Sequence, residues 1–281
     1  MRPWKQPTRN DDTTEQPDCS IVLPLNAPIA DGRSVARSSL VDASMLNVHH
    51  RLMHEETVTL GRSDADGYEI ILRRRHSGDT AYDELIINGV FAMDSARTSS
   101  EIVLAEALGP QPGHVLVGGL GLGFTAAHLL DMGATQLDIV ELSGPLIEWA
   151  HQALTPTLGK VAADPRVTIH HGNAATLLSG QPTIPGLFGP WDGICLDIDN
   201  GPDFLIHPDN ASLYTTDGIR TALEHLNPGG GLAIWSQSPA KEFWFDLTSI
   251  DENATERLVE IERLNRKMDY AIYTVHAPAR S

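Results

Sequence analysis

The chain has 281 residues, with 37 acidic side chains against 20 basic ones and a formal charge of −17. That balance argues against nucleic acid as a partner, because phosphate backbones are held by broad Lys/Arg surfaces. It also lacks a membrane-spanning apolar run: the longest candidate, 114–130, is interrupted by glycines at 118, 119, 121 and 123.

With 41% hydrophobic residues the chain reads as globular, long enough for one large domain and a smaller one. Cys19 and Cys195 stand far apart, so no disulfide framework organises it. The first residues show no apolar core of a secretory signal, and a cytoplasmic protein is expected.

Residues 1–45 are polar and punctuated by proline, and read as a flexible arm. Residues 46–95 are expected to form a small β domain. Its opening stretch, 46–56, has helix-like spacing and places His50 and His54 on one face, beside His49. No third ligand follows at metal-site spacing, so no metal is expected. Strand-like segments at 68–73 and 83–87, the polar turn 77–79 and the hairpin dipeptide Asn88-Gly89 predict an antiparallel sheet. Arg73, Arg74 and Arg75 end one of these strands and read as a solvated edge rather than an anion site.

From residue 96 to 281 the pattern alternates. A helix is expected over 100–107, and strands at 114–117, 136–141, 167–170, 193–197 and 232–236, with a closing strand at 270–276. Strands separated by helical stretches predict an α/β fold with a doubly wound, mostly parallel sheet.

The strongest local signal follows the first of these strands. Val115-Leu116-Val117 runs into Gly118-Gly119-Leu120-Gly121-Leu122-Gly123, and a helix begins at about Thr125. Glycines there let the backbone turn tightly and approach a ligand, which assigns Gly119, Gly121 and Gly123 to cofactor binding. Glu141 ends the next strand, where a carboxylate can accept from both hydroxyls of a ribose. Together they point to an adenosine-type ligand, NAD or S-adenosylmethionine. The GxGxG spacing and the lack of a second nucleotide half speak against NAD. Asn173, just past the third strand, offers an amide donor and acceptor to an adenine edge.

Read together, these motifs resemble the spermidine-synthase-like branch of class I S-adenosylmethionine-dependent transferases, over roughly residues 68–238. The stretch 85–90 (Leu-Ile-Ile-Asn-Gly-Val) looks like the family's β-hairpin domain, the glycine loop its cofactor loop, and Val140-Glu141-Leu142 its ribose-binding acid. Asp164-Pro165-Arg166-Val167, Leu213-Tyr214-Thr215, Asn227-Pro228-Gly229-Gly230 and Ser236-Gln237-Ser238-Pro239 follow in the family's order. The resemblance implies a Rossmann-like methyltransferase sheet behind a small antiparallel domain, and a homodimer.

The departures lie in the acceptor half. Where aminopropyltransferases carry D-S-x-D-P, this chain has Asp197-Ile198-Asp199-Asn200-Gly201-Pro202. The family's diamine-holding Gln and Tyr-His pair are not recognisable in Met93-Asp94-Ser95-Ala96-Arg97-Thr98-Ser99-Ser100-Glu101.

In an open α/β sheet the ligand sits beyond the carboxyl ends of the strands, where Gly119, Glu141, Asn173 and Asp197 converge. Asp197 is expected to accept a proton from the attacking group or to stabilise the cationic sulfur. Asp199 would share its face if the strand continues, and Tyr214 would line the acceptor pocket. Arg97 is read as a carboxylate-binding residue and Trp235 as an acceptor-pocket wall; Phe243-Trp244-Phe245 reads as packing.

With the cofactor half intact and the polyamine half altered, the expectation is methyl transfer from S-adenosylmethionine to a small-molecule amine, hydroxyl or carboxyl acceptor. The alternatives are aminopropyl transfer from decarboxylated S-adenosylmethionine, and a non-catalytic nucleoside-binding protein or unusual chemistry on the same cofactor.

Overall fold

A computed structural model of the chain describes residues 56–180, 184–198, 200–205, 208–263 and 266–279. The expected arm, the helix at 46–56 with its three histidines, and Asp199 lie outside the described residues.

Four antiparallel strands come first: β1 (Glu56–Ser63), β2 (Ile70–Ser77), β3 (Thr80–Ile87) and β4 (Val90–Asp94), paired in chain order. At the β3–β4 hairpin Asn88 and Gly89 both have positive φ, 50° and 73°, which is the two-residue turn that matches strand twist. The arginine run is neither an anion site nor merely solvated. In register with β3, Arg73 and Arg75 bind Glu84 (2.8 and 2.7 Å) and Arg74 binds Asp83 at 2.7 Å. β1 bulges between Thr59 and Gly61, and a Cβ at Gly61 would come within 2.6 Å of the Trp149 ring. Glycine is required there by the close approach of that indole.

The remainder forms a seven-stranded sheet in the order β10-β11-β9-β8-β5-β6-β7. These strands are β5 (His114–Gly118), β6 (Gln136–Glu141), β7 (Val167–His171), β8 (Trp191–Leu196), β9 (Leu226–Ser236), β10 (Thr255–Arg263) and β11 (Arg266–His276). β7, β6, β5, β8 and β9 are parallel, while β11 and β10 close the sheet antiparallel. The helices are α1 (Ser99–Glu106), α2 (Phe124–Asp131), α3 (Gly144–His151), α4 (Pro156–Ala163), α5 (Ala174–Leu178), α6 (Thr216–Glu224) and α7 (Lys241–Ile250). Ser143, Thr155, Asn173 and Thr215 cap four of them with side-chain oxygens.

Strand alternation sorts the core into two layers. Leu116, Ile194, Leu196 and Ile234 face α5, α6 and α7, while Val115, Val117, Ile139 and Cys195 face the other side. Ile70, Leu72 and Leu85 of the small sheet join that second layer, so the two sheets share one core. β10 escaped the sequence reading because it is an edge strand on which Glu256, Arg257, Glu260 and Glu262 are exposed. Among the described residues no helix is long and apolar enough to cross a membrane.

One buried acid ties the parallel strands together. Asp138 of β6 bonds to the ring Nε2 atoms of His114 (2.6 Å) and His170 (2.9 Å) and accepts from Trp191 Nε1 at 3.3 Å. Burial alone would raise its carboxyl, but these three bonds prevail and hold it below the usual carboxylate range. A folded-state value depressed in this way stabilises the fold above the unfolded aspartate value and is lost as pH falls through the folded one. Asp138→Asn is therefore expected to cost about 1–3 kcal/mol at pH 7. The gap to the parent chain should narrow below about pH 4. Urea unfolding at several pH values checks this; a gap constant with pH would refute it.

Candidate active site

The chain winds away from β5 in both directions, to β6 and β7 on one side and to β8 and β9 on the other. That switch point opens a crevice at the carboxyl ends of the strands, and a cavity of about 400 Å³ occupies it. Its floor is the ends of β5, β6, β8 and β9, and the small sheet roofs it with Ile70, Leu85, Ile87 and Met93.

The glycine loop is shaped by the protein itself as well as open to a ligand. Gly119 has φ 93°, and a Cβ on it would overlap the Asp197 carbonyl oxygen. Gly121 has φ 51°, and its Cβ would lie 2.7 Å from Met93 Sδ, which also accepts from Leu122 N–H at 3.3 Å. Both glycines line the cavity. Gly123 does not; it is the left-handed N-cap of α2, packed toward Val161 and Leu158.

Glu141 lines the cavity and is buried. Its Oε2 accepts from Leu120 N–H at 2.8 Å and its Oε1 from Ser143 N–H at 2.7 Å. Burial raises its carboxyl despite those bonds. The acid thus braces the glycine loop from within the cavity. Asn173 also lines the cavity, but its Oδ1 is committed to capping α5 through Ala175 and Thr176 N–H, at 2.8 and 3.3 Å. Only its amide N–H₂ is left to read an adenine edge.

Asp197 follows β8 directly, and its N–H donates to the Gly118 carbonyl at 2.9 Å. Its Oδ2 accepts from Thr125 Oγ1 at 3.0 Å. Burial lifts its carboxyl well above the ordinary aspartate range, against the lowering effect of Thr125. Across the same cavity stands Glu101, only 6% exposed, with Oε2 accepting from Ser100 Oγ at 2.6 Å. Burial first, then the charges of Asp197 and Asp94, raise Glu101 toward neutrality, while Ser100 opposes the shift.

Glu101 carries no role in the sequence analysis. A signal was available, because α1 buries Ser100, Glu101, Leu104 and Ala105. An acid on the buried stripe of a helix is costly unless it serves something.

The remaining expectations divide. Trp235 lines the cavity, stacked edge-to-face on Tyr270 with ring centroids 4.8 Å apart. Its Nε1 is shielded and has no hydrogen-bond partner among the described residues. Arg97 lines the cavity from an exposed position, in the turn before α1. Tyr214 is not a lining residue. It is buried in the α6–α7 layer, edge-on to Phe243 at 5.8 Å, so the structure places it in packing and away from the acceptor pocket. Phe243 and Trp244 pack on Tyr273, as the packing reading expected, while Phe245 is exposed.

No protein-family model matches the chain. A polyamine aminopropyltransferase of Corynebacterium efficiens is 28% identical over 203 residues, covering 70% of this chain and 36% of the relative. The chain thus spans little more than a third of that relative's length. Among solved structures it is similar to spermidine synthase from Thermotoga maritima, with a TM-score of 0.60 and 17% identity. That match covers 79% of this chain and 73% of that one. The structure of a spermidine synthase in complex with the transition-state analogue AdoDATO matches with the same scores.

These likenesses overturn the expected methyl transfer and the methyltransferase reading of the enzyme. The relative in sequence is an aminopropyltransferase, and both neighbours in fold are spermidine synthases. The site's chemistry agrees with the correction. The cavity is lined by Asp94, Glu101, Glu141 and Asp197, with Arg97 the one lysine or arginine among the described lining residues, so it is a poor host for a carboxylate. An α/β chain with a small antiparallel sheet set before a mostly parallel, seven-stranded one, it carries the spermidine-synthase-like class I transferase fold.

Proposed function

We propose that the protein transfers an aminopropyl group from decarboxylated S-adenosylmethionine to a small-molecule amine. The observation that carries this reading is the carboxyl pair of buried Glu101 and half-buried Asp197, in a cavity whose described lining holds no buried lysine or arginine. Such a cavity favours ammonium groups and penalises carboxylates. Decarboxylated S-adenosylmethionine carries an ammonium and no carboxylate, and an amine acceptor arrives as an ammonium too.

The residues present fit that donor. Glu141 lines the cavity as an acceptor for ribose hydroxyls, and the Asn173 amide can donate to the adenine. Gly119 and Gly121 leave the loop without side chains on the ligand side. The donor supplies a carbon activated by a sulfonium leaving group, so the protein has to align the acceptor nitrogen, keep water out and accept a proton. Asp197 is the proposed base, placed at the carboxyl end of β8 and oriented by Thr125. Ile70, Leu85, Ile87 and Trp235 make the apolar wall that excludes water.

Calorimetric titration tests the donor. Decarboxylated S-adenosylmethionine should bind about tenfold or more tightly than S-adenosylmethionine, a difference of about 1.4 kcal/mol or more. Equal affinity, or preference for the carboxylated form, would sink the reading. With a panel of amines, mass analysis should then show the aminopropyl increment on an acceptor.

Two substitutions separate binding from chemistry. Glu141→Ala should weaken binding of 5′-methylthioadenosine by about ten- to a hundredfold, through the loss of charge-assisted bonds and the loop brace. Asp197→Asn should leave that affinity within about threefold and lower kcat by about a hundredfold or more. An unchanged kcat would remove Asp197 from the chemistry.

A further inference from the structure

We propose that Glu101 and Asp197 form a single proton-sharing seat for the ammonium of the acceptor, with Glu101 as its second catalytic carboxyl. The inference rests on the amine acceptor of the preceding section and names the residue that would recognise it.

The geometry shows an unmet demand for a cation. Glu101 is held from α1 and Asp197 from the end of β8, with both lining one cavity. Among the described residues, the side-chain hydrogen bonds to their carboxyls come from hydroxyls, Ser100 Oγ to Glu101 and Thr125 Oγ1 to Asp197, and the Glu101 carboxyl is also bonded by its own backbone. No lysine, arginine or histidine there forms an ion pair with either. Two carboxyls lining one cavity, with no cation paired to either among the described residues, repel when both are ionised, so the pair keeps a proton. An ammonium placed between them supplies the missing charge and lets that proton go.

The surroundings reinforce this. Asp94, at the end of β4, adds a third negative charge near Glu101. Arg97 stands exposed in the turn before α1, and Glu141, Tyr68 and Tyr270 complete the titratable lining. Beneath α1, Cys195 is buried against the Leu104 carbonyl, and burial raises its thiol, so it stays neutral.

The transfer step balances. The ionised pair takes one proton from R–NH₃⁺, leaving R–NH₂ and a shared proton on the two carboxyls. The nitrogen lone pair forms the new N–C bond at the propyl carbon as the C–S bond breaks. Sulfur keeps that electron pair and departs as a neutral thioether. The product leaves as a secondary ammonium, and one proton passes from the seat to solvent per turnover.

The test is proton release on amine binding, which needs no turnover. 1,4-Diaminobutane and n-butylamine are titrated calorimetrically at pH 7 in buffers of different ionisation enthalpy. The parent chain should release about half a proton or more per amine bound, as expected when a shared proton is displaced. Glu101→Gln, checked for folding by circular dichroism, should abolish that release, and Glu101→Asp should restore part of it. No amine binding, no release by the parent chain, or undiminished release by Glu101→Gln would overturn the seat.

In transfer assays kcat should rise with pH as the pair ionises. Glu101→Gln should lower kcat by about a hundredfold and displace that acidic limb. Transfer with an unchanged kcat and pH profile in Glu101→Gln would overturn the role of Glu101 while leaving aminopropyl transfer intact. Glu101-dependent proton release without transfer from the decarboxylated donor would instead uphold the seat and refute the reaction.

Discussion

The arrangement of the site depends on how closely the ends of β5 and β8 approach at the switch point. Asp197 N–H donates to the Gly118 carbonyl, and the next residue, Gly119, has no Cβ to push the Asp197 carbonyl away. This contact fixes where the Asp197 carboxyl leaves the backbone, and Thr125, on the helix that follows the loop, then orients it. Glu141 completes the frame from β6 by holding Leu120 and Ser143 N–H. An acid that reads as a ligand for ribose is thus also a strut of the loop that would receive the same ligand. Loss of either partner in such a frame propagates to the other, because both lie in one hydrogen-bonded chain.

The small sheet does more than precede this frame. Its strands enter the same core layer as β5 and β6, and Met93 sets its sulfur against the glycine loop. The roof it makes is apolar, which removes water and raises the carboxyls beneath it. The chain then passes from β4 through the Asp94 turn into α1, whose buried stripe carries Glu101. Cover and acid are therefore consecutive in the chain, and together they add a second carboxyl to the cavity that Asp197 lines.

Legibility in the sequence followed the range of the forces involved. β6 runs from Gln136 to Glu141 as its apolar run indicates, and the Asn88-Gly89 turn is where its dipeptide places it, because both are decided by neighbours in sequence. β10 was illegible because an edge strand can satisfy half its backbone in water and need not show an apolar face. The arginine run looked solvated because its partners, Asp83 and Glu84, lie on another strand and meet it only in register. Tyr214 sits in a family-like motif, yet the layer beneath α6 and α7 takes its ring into packing.

By itself the sequence determined the α/β class, the glycine loop and the strand-end acids Glu141 and Asp197. Each is written in a local pattern of apolar runs, glycines and strand ends. Only the tertiary structure decided which carboxyl shares the cavity with Asp197, since Glu101 lies on a helix built well before β8 in the chain. It also decided the charge of the cavity, where among the described lining residues acids from β4, α1, β6 and the end of β8 outnumber the one exposed Arg97. A net charge of −17 says nothing of where that charge is buried. Burial is a property of packing, and packing is what gives these few carboxyls their chemistry.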